Sequence, residues 1–388
     1  MHAESALLDQ VAEAAAASIE DVDTAALPGF MRQLDQAALL AMARTLGRNG
    51  LFRPGLRHRC DQVADRLRVA PRHRWILRRW LTVLHDEGLL HRDDATGFLH
   101  DLRAVRRSEV ADAAATVHEA ARGLGYPAEM ARFFLAAFDQ LPRLLRDEVA
   151  VQTLLFPDSD LSTAEGAYQD NVINRYLNAA AIEMLRWECQ HTAAPLRVLE
   201  LGAGVGGTTA AVVPALADEA VHYLFTDVSQ FFLDAGRRRF GDRLHYRILD
   251  INADALGQPG SADVVLAANV LHNSVHIGHL LNRLRDLLAP GGLLVMIESC
   301  REHYQAMTSM QFLMSSRDGG PQPGTSDVRA GTDRVFLTRD EWLGELTAAD
   351  YAPLLDLPNP VHPLAALGQH IFAARTRTTT DDRSSHER

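Results

Sequence analysis

A glycine-rich stretch with a carboxylate at its start, ELGAGVGG at positions 200–207, directly follows a short hydrophobic run. Glycine lets the backbone turn tightly and lets a ligand approach the main chain closely. A helix that begins after such a turn points its free N–H groups at an anionic group. The stretch therefore predicts a loop that holds a cofactor by a carboxylate or phosphate group, with Glu200 placed to meet a cationic group.

The glycines alone leave more than one class of cofactor open. Gly202, Gly204 and Gly207 fit the pattern G-x-G-x-x-G, which serves dinucleotides as well as other nucleosides. A dinucleotide has no need of the carboxylate of Glu200, whereas the ammonium group of S-adenosylmethionine (SAM) would use it. A nicotinamide cofactor, or a glycine turn that binds nothing, remains the alternative.

Polar residues that end the later hydrophobic runs favour a nucleoside with an adenine ring. Asp227, which Val228 follows, can bind ribose hydroxyl groups. Asp250 and Ile251 suit the edge of adenine, with a carboxylate for the exocyclic amine and a backbone donor for the ring. Asn269 ends the fourth run and is assigned to the same cofactor. Together these residues predict a SAM site.

Six short hydrophobic runs must position these side chains, at 196–202, 221–228, 244–251, 262–270, 292–299 and 369–375. Most are apolar nearly throughout, as expected for strands of a parallel sheet buried on both faces. LLAPGG at 287–292 precedes the fifth run, as it does in many methyltransferases. Thr338 and Glu341 have the spacing of a capping box and predict a helix before the last run. We expect an α/β fold with a Rossmann-like, seven-stranded sheet.

The N-terminal part of the chain has a different pattern. Apolar residues recur at helical spacing from Phe30 to Leu46 and from Met130 to Val149. Between them, a helix, a turn, a second helix from Pro71 to His85 and two short strands around Asp93 and Gly97 predict a winged-helix-like unit. This unit is rich in arginine, so a SAM-fold regulator that binds DNA is an alternative function of a different class.

The length of 388 residues and a hydrophobic fraction of 47% indicate two or more domains. We expect a helical, winged-helix-like lid domain at 1–150 and a SAM-binding domain at 151–376. Within the second domain, 301–337 is expected to form a lid or substrate insertion, of which 315–333 is rich in Gly, Pro and Ser and predicts a flexible loop. The polar tail at 377–388 is expected to be disordered.

Charge and cysteine content indicate which partners and which cellular compartment to expect. The net charge is −11, which does not favour nucleic acid as a partner. Cys60, Cys189 and Cys300 show no metal or disulfide spacing and indicate a reducing, cytoplasmic compartment. The N-terminus lacks the pattern of a signal peptide, and no uncharged apolar run is long enough to cross a membrane.

Several longer blocks resemble the C-methyltransferase domains of polyketide synthases and nonribosomal peptide synthetases. They are LLFPDSDLSTAEGAYQDNVINRYLN (154–178), LRVLELGAGVGGTTAAVVPAL (196–216), YLFTDVSQFFLDAGRRRF (223–240), AANVLHNS (267–274) and LLAPGGLLVMIES (287–299). The resemblance implies a SAM-dependent C-methyltransferase of natural-product biosynthesis. Ketosynthase, acyltransferase and carrier segments are absent from the sequence, so a stand-alone enzyme is expected. An O- or N-methyltransferase is the alternative enzyme.

The same resemblance implies the catalytic pair His272 and Glu298, a histidine after the fourth strand and a glutamate that ends the fifth. A neutral imidazole can accept a proton at physiological pH, and a carboxylate would fix its tautomer and stabilise the imidazolium ion. His272, His276 and His279 also fall on one face of a helix. A metal site is therefore an alternative, although no metal is assigned.

The remaining assignments concern the cofactor lid and the acceptor. Tyr168 and Arg175 lie on a predicted helix that, in the family, closes over the cofactor. Four apolar residues after the fifth strand are assigned to an acceptor pocket: Met307, Met310, Phe312 and Met314. The expected partner is a small-molecule acceptor, either free or bound to a carrier protein, and a homodimer is the expected assembly.

Overall fold

The computed structural model describes residues 2–48, 50–155, 171–315 and 322–377. Its helices are α1 (His2–Ala17), α2 (Leu27–Gly47), α3 (Cys60–Leu67), α4 (Arg74–Asp86), α5 (Arg107–Gly123), α6 (Ala128–Leu145), α7 (Val151–Leu155), α8 (Val172–His191), α9 (Gly207–Ala215), α10 (Gln230–Phe240), α11 (Ile277–Leu287), α12 (Tyr304–Met307) and α13 (Arg339–Ala348). Its strands are β1 (His91–Arg92), β2 (Leu99–His100), β3 (Leu196–Leu201), β4 (Val221–Asp227), β5 (His245–Ile248), β6 (Ala262–Ala268), β7 (Leu288–Ser299), β8 (Tyr351–Leu357) and β9 (Gln369–Thr376). None of these described helices has the length and apolar character needed to cross a membrane. The predicted disordered tail lies, apart from Arg377, outside the described residues.

Seven strands form one sheet in the order β5-β4-β3-β6-β7-β9-β8. The strands from β5 to β7 pair in parallel, whereas β9 runs antiparallel to both β7 and β8. The predicted seven-stranded α/β sheet is confirmed, but the expectation of a parallel sheet is wrong at this end. Strand β8 was not among the predicted runs because Pro353 and Asp356 interrupt its apolar pattern, as suits an edge strand.

Hydrophobic side chains cover both faces of the sheet. On one face, Leu199 of β3 shares a core with Trp342 of α13. On the other face, Val198 belongs to a second core that continues through Leu177 of α8 to Leu34 of α2. The N-terminal helices are therefore joined to the sheet by continuous apolar packing. The domain boundary near residue 150 stays a prediction.

The winged-helix-like elements occur in the predicted order. Helices α3 and α4 precede an antiparallel pair in which His91 of β1 lies opposite His100 of β2. The indole nitrogen of Trp80, a buried residue of α4, donates a hydrogen bond to the carbonyl oxygen of Met307 at 3.1 Å. This contact ties α4 to the segment that follows β7, and the lid role of the unit stays a prediction.

Candidate active site

The glycine loop connects the end of β3 to the start of α9. Gly202, Gly204 and Gly206 have φ values of 55°, 56° and 74°, a region that favours glycine. A Cβ atom on Gly202 would lie 2.3 Å from the side chain of Val270, so this position is closely packed. Among the described residues, a Cβ atom on Gly204 would meet nothing nearer than the carbonyl oxygen of Gly202 at 3.9 Å. The described residues thus leave space at Gly204 for a ligand to approach the main chain, and this geometry fits a bound nucleoside cofactor.

Asp227, at the end of β4, holds this loop. Its carboxylate accepts hydrogen bonds from the amides of Gly204 at 3.0 Å and Ser229 at 2.8 Å. Burial raises the pKa of Asp227, and the backbone hydrogen bonds oppose that rise. Val228 is 65% exposed beside it. A carboxylate fixed next to the glycine loop is suited to bind the hydroxyl groups of a ribose.

The end of β5 lies beside the end of β4. The amide of Leu249 donates a hydrogen bond to the carbonyl oxygen of Asp227 at 3.0 Å, which brings the following Asp250 and Ile251 to the same edge of the sheet. Asp250 is exposed and accepts a hydrogen bond from the amide of Asn252 at 2.8 Å, whereas Ile251 is buried. The carboxylate of Asp250 is thus exposed at the same edge of the sheet as Asp227, and the role of Asp250 and Ile251 at an adenine ring stays a prediction.

Glu200 is enclosed below the glycine loop. Its carboxylate accepts hydrogen bonds from the hydroxyl groups of Thr209 at 2.6 Å and Tyr223 at 2.8 Å, and the residue is only 1% exposed. Burial raises the pKa of Glu200 to about 7. Its assignment to the ammonium group of the cofactor stays a prediction, and the carboxylate would have to serve that group in addition to these two hydroxyls.

Asn269 follows β6 in a left-handed backbone conformation. Its φ of 52° lies in a region that asparagine adopts more readily than most residues other than glycine. The amide of Asn269 donates a hydrogen bond to the carbonyl oxygen of Ile297 at 2.7 Å, and its side chain bonds to Ser299 at 3.2 Å and Gln369 at 3.3 Å. The residue therefore joins the ends of β6, β7 and β9, next to the loop that carries His272.

His272 and Glu298 form a buried pair at the ends of β6 and β7. The Nδ1 atom of His272 lies 2.7 Å from Oε2 of Glu298. The other carboxylate oxygen accepts hydrogen bonds from the amides of Val270 at 3.1 Å and Leu271 at 2.7 Å. Glu298 is fully buried, and the ring of Phe336 packs edge-on against the imidazole at 4.8 Å between ring centroids. This arrangement fixes Nδ1 as the donor and makes Nε2 the nitrogen that can accept a proton.

Arg329 holds the backbone of this pair and was not identified from the sequence. Its side chain is completely buried and donates hydrogen bonds to the carbonyl oxygens of His272 at 2.6 Å, Ser274 at 3.0 Å and Val335 at 2.6 Å. It also pairs with Asp327 at 2.7 Å. Its position in a Gly/Pro/Ser-rich segment gave no hydrophobic signal from which burial could be predicted.

The described part of the predicted loop at 315–333 is held in place. The amide of Gly324 donates a hydrogen bond to the carbonyl oxygen of Ser274 at 3.2 Å, and Asp327 accepts one from the amide of Ile277 at 3.0 Å. The expectation of a flexible loop is therefore wrong for 322–333, because the Arg329–Asp327 pair anchors it to the start of α11. Residues 316–321 lie outside the described residues.

The predicted cofactor lid on α8 is described only in part. Tyr168 lies outside the described residues. Arg175 donates hydrogen bonds to the carbonyl oxygen of Ser18 at 3.1 Å and to Asp21 at 3.3 Å, so its guanidinium group contacts the end of α1. A cofactor role for Arg175 stays a prediction, and it would require this group to leave those partners.

The four residues assigned to an acceptor pocket lie between the sheet and the N-terminal helices. Met307 and Phe312 are buried in the core, and the Phe312 ring packs edge-on against Trp80 at 6.5 Å between ring centroids. Met310 and Met314 are partly buried at the margin of that core. Their acceptor role stays a prediction, for which the two partly buried methionines retain the more accessible surface.

The three histidines proposed as an alternative metal site do not share a helical face. Helix α11 begins at Ile277 with His276 as its N-cap, and His272 lies in a separate preceding turn. His276 and His279 stack at 3.8 Å between ring centroids, whereas His272 binds Glu298. Within the described ranges, no group of three or more His, Cys, Asp or Glu residues is arranged to hold a metal ion.

Comparison with known sequences adds two findings. Residues 199–294 match the profile of a family described as "Methyltransferase domain". The chain is 30% identical over 365 residues to pyochelin synthetase PchF of Pseudomonas aeruginosa, a match that covers 89% of this chain and only 19% of the synthetase. The chain thus spans about a fifth of the length of that relative.

Solved structures extend the comparison to the whole fold. The CurJ carbon methyltransferase superposes with a TM-score of 0.85 at 24% identity and covers 97% of this chain and 99% of its own. The DszA carbon methyltransferase superposes with a TM-score of 0.74 at 25% identity, over 89% of this chain and 88% of its own.

The glycine loop, the seven-stranded sheet and the family match together define a class I SAM-dependent methyltransferase. SAM is its cofactor. Within that class, the chain resembles the carbon methyltransferase domains of polyketide synthases and nonribosomal peptide synthetases.

Proposed function

We propose that this methyltransferase acts on an activated carbon of a small acid in natural-product biosynthesis, with His272 as the general base and Glu298 as its partner. The observation that carries the proposal is the 2.7 Å contact between Nδ1 of His272 and Oε2 of Glu298. The second carboxylate oxygen is engaged by two backbone amides, so the carboxylate can neither rotate nor leave the imidazole without losing them. The acid is either free or bound to a carrier protein.

The reaction begins with proton removal by Nε2 of His272 from a carbon that lies between two carbonyl groups. Glu298 stabilises the imidazolium ion that results, and such a base contributes roughly 10²–10⁴-fold to the rate. When bound, SAM would supply an electrophilic methyl group to this carbon, and the electron pair of the broken S–CH₃ bond would leave with the sulfur of S-adenosylhomocysteine. Alignment of the two reacting atoms can lower the barrier by about 7–11 kcal/mol.

The residues around the loop would hold the cofactor. Asp227 with Val228 would bind the ribose, and Asp250 with Ile251 the adenine, while the carboxylate end of SAM would face the start of α9. Six further residues belong to the same proposal: Glu200 for the ammonium group, Gly202, Gly204 and Asn269 for the loop, and Tyr168 with Arg175 for the lid. Met307, Met310, Phe312 and Met314 would form the apolar wall for the acceptor.

The setting and assembly are part of the proposal as well. Cys60, Cys189 and Cys300 are all free thiols, which suits a reducing, cytoplasmic compartment. A homodimer remains the proposed assembly. Methylation of an oxygen or nitrogen atom is the second candidate, because the same base could deprotonate a hydroxyl group.

The two half-reactions can be measured separately. A β-ketoacyl thioester of N-acetylcysteamine is incubated with the enzyme in D₂O without SAM, and exchange of the α-proton is followed by NMR. We expect the wild-type chain to catalyse exchange and His272→Ala to reduce it roughly 10²–10⁴-fold. His276→Ala, a histidine substitution close in sequence but outside the pair, serves as the control and should retain wild-type exchange.

Carbon methylation is then read by adding SAM and locating the new methyl group by mass spectrometry and NMR. A methyl group on the α-carbon supports the proposal. Exchange and methylation that persist near the wild-type rate in His272→Ala would contradict the role of the base. A methyl group found only on oxygen or nitrogen would favour the second candidate.

A further inference from the structure

Two stretches of the N-terminal region are rich in arginine and contain no acidic residue. Residues 44–60 carry five arginines and residues 102–107 carry three, with neither Asp nor Glu in either stretch. The chain as a whole has a net charge of −11. Such a local excess of one sign, against an opposite overall charge, creates a field that attracts small anions to that part of the surface.

The fold brings the two stretches together. His58 and Leu99 exchange backbone hydrogen bonds of 3.0 Å and 2.8 Å, which places the chain after α2 beside the chain after β2. A cleft of about 240 Å³ opens between them. Its lining combines cationic and apolar side chains: Arg44, Arg48, Arg53 and Arg103 with Phe52, Leu102 and Val105. No carboxylate is found among the described residues that line it.

The arginines of the cleft are available to a ligand. Arg48 and Arg53 are exposed and Arg44 is half-buried, and none of the three forms an ion pair with any part of the chain that the structure describes. Of the four arginines that line the cleft, Arg103 alone forms an ion pair within the described residues, with Glu109. The negative end of the α2 dipole accounts for cations at Arg44 and Arg48. It does not account for Arg53 and Arg103, which come from two other segments.

We propose that this arginine cleft is a binding subsite for the phosphate group of a partly apolar ligand. Planar guanidinium groups bind phosphate oxygens in pairs and stay charged at every physiological pH. The apolar wall of Phe52, Leu102 and Val105 lies in the same cleft and would contact the part of the ligand next to the phosphate. The ligand is either a free phosphorylated metabolite or a phosphate group displayed on a partner protein.

The proposal is tested by calorimetric titration of the full chain, without SAM or acceptor, so that its outcome is independent of the methyl-transfer proposal. Phenyl phosphate should bind more tightly than inorganic phosphate, because its ring adds apolar contact in the cleft. A charge-assisted contact is worth about tenfold in affinity, so Arg48→Ala/Arg53→Ala should weaken phenyl phosphate binding by at least about tenfold. Both arginines are exposed, and thermal melting checks that the variant is folded.

A matched control removes the same charge elsewhere. Arg66 and Arg92 are exposed and lie outside the cleft, so Arg66→Ala/Arg92→Ala should leave affinity within about twofold of wild type. Equal weakening by both double variants, or no measurable phosphate binding by the wild type, would overturn the proposal. Tighter binding of polyglutamate or duplex DNA than of phenyl phosphate would overturn it as well.

Two further calorimetric titrations identify the source of the phosphate group. A phosphoserine-containing peptide that binds more tightly than phenyl phosphate, with the same loss in Arg48→Ala/Arg53→Ala, supports a partner protein. The reverse order of affinity, again lost in the cleft variant, supports a free metabolite.

Discussion

The guanidinium group of Arg329 donates a hydrogen bond to the carbonyl oxygen of His272 at 2.6 Å. The same group donates hydrogen bonds to the carbonyl oxygens of Ser274 and Val335, so it joins the turn that carries His272 to the chain just before α13. An ammonium group could not span these three oxygens, because only guanidinium presents several donors in a fixed plane. Arg329 is thus a candidate positioning residue, which acts on the reaction through His272.

We predict that Arg329→Lys lowers kcat at least about tenfold while the affinity for SAM changes little. Lysine preserves the charge opposite Asp327 but loses the hydrogen bonds to the turn of His272, so the imidazole would be less well aligned. A general loss of stability would weaken SAM binding as well, so a fall in kcat alone distinguishes the two effects. Steady-state kinetics across pH and calorimetric titration of SAM measure the two quantities.

A substitution at Gly324 should disturb the same contact between Arg329 and the turn of His272. A Cβ atom here would lie 2.3 Å from Nε of Arg329, whereas one on Gly331 would meet none of the described residues within 4 Å. Both glycines have positive φ, 72° and 74°, so alanine strains the backbone equally at the two positions. Gly324→Ala should reduce kcat as Arg329→Lys does, and Gly331→Ala should lose stability alone. Equal kcat in the two alanine variants would argue against the positioning role.

We predict that Glu298→Gln lowers the rate of proton exchange roughly 10²–10⁴-fold without unfolding the chain. The amide oxygen can still accept from Val270 and Leu271, but the amide nitrogen must then donate toward Nδ1 of His272. The imidazole would be forced to carry its proton on Nε2, where it cannot act as a base. NMR of the ring protons distinguishes the tautomers. A normal exchange rate with the Nε2–H tautomer would show that His272 is not the base.

We predict that Asp227→Asn weakens SAM binding about tenfold or more. The carboxylate accepts from two amides, and the asparagine side chain would present an NH₂ group to one of them. The glycine loop would then lose its contact to β4, or the ribose its acceptor. Asp234→Asn removes an exposed carboxylate that pairs with Arg237, and it should bind SAM normally. Calorimetric titration of both variants measures the difference, and equal affinities would remove Asp227 from the site.

We predict that Glu200 makes the free enzyme less stable as the pH rises. Burial raises the pKa of this carboxyl from its usual 4.5 to about 7, so the folded chain keeps a proton that the unfolded chain has lost. Its contribution to the free energy of unfolding is therefore present below about pH 4.5 and falls until about pH 7, by up to about 3 kcal/mol.

Urea unfolding across this pH range measures the contribution. Glu200→Gln should show a flatter curve between the two pH values, because glutamine does not ionise. Asp218→Asn, an exposed carboxylate in the loop before β4, should follow the wild type. Parallel curves for wild type and Glu200→Gln would show that the carboxyl titrates normally.

Much of the sheet could be predicted because buried strands need continuous apolar runs. Leu196–Leu201 and Ala262–Ala268 are examples, and the glycines that follow β3 indicated the loop beyond it. The capping box at Thr338 and Glu341 marked the start of α13, which the structure confirms. Strand β8 could not be found in this way, because Pro353 and Asp356 break its pattern.

The surroundings of the site were harder to predict, since they depend on contacts between residues far apart in sequence. The Arg329–His272 contact joins positions 57 residues apart, and no local pattern signals it. The side-chain direction of Arg175 and the burial of Glu200 between Thr209 and Tyr223 likewise follow from tertiary packing. The family resemblance indicated which residues form the proposed catalytic pair, but it did not indicate what holds them.

The strand order has a consequence for biosynthesis of the chain. Strand β9 is made after β7 and β8, yet it lies between them. Translation produces the N-terminal part of the chain first. Until β9 has been made, the backbone donors and acceptors along one side of β7 therefore have no partner strand. An open strand edge invites pairing with other chains, so a chain truncated before Gln369 should be especially prone to aggregate.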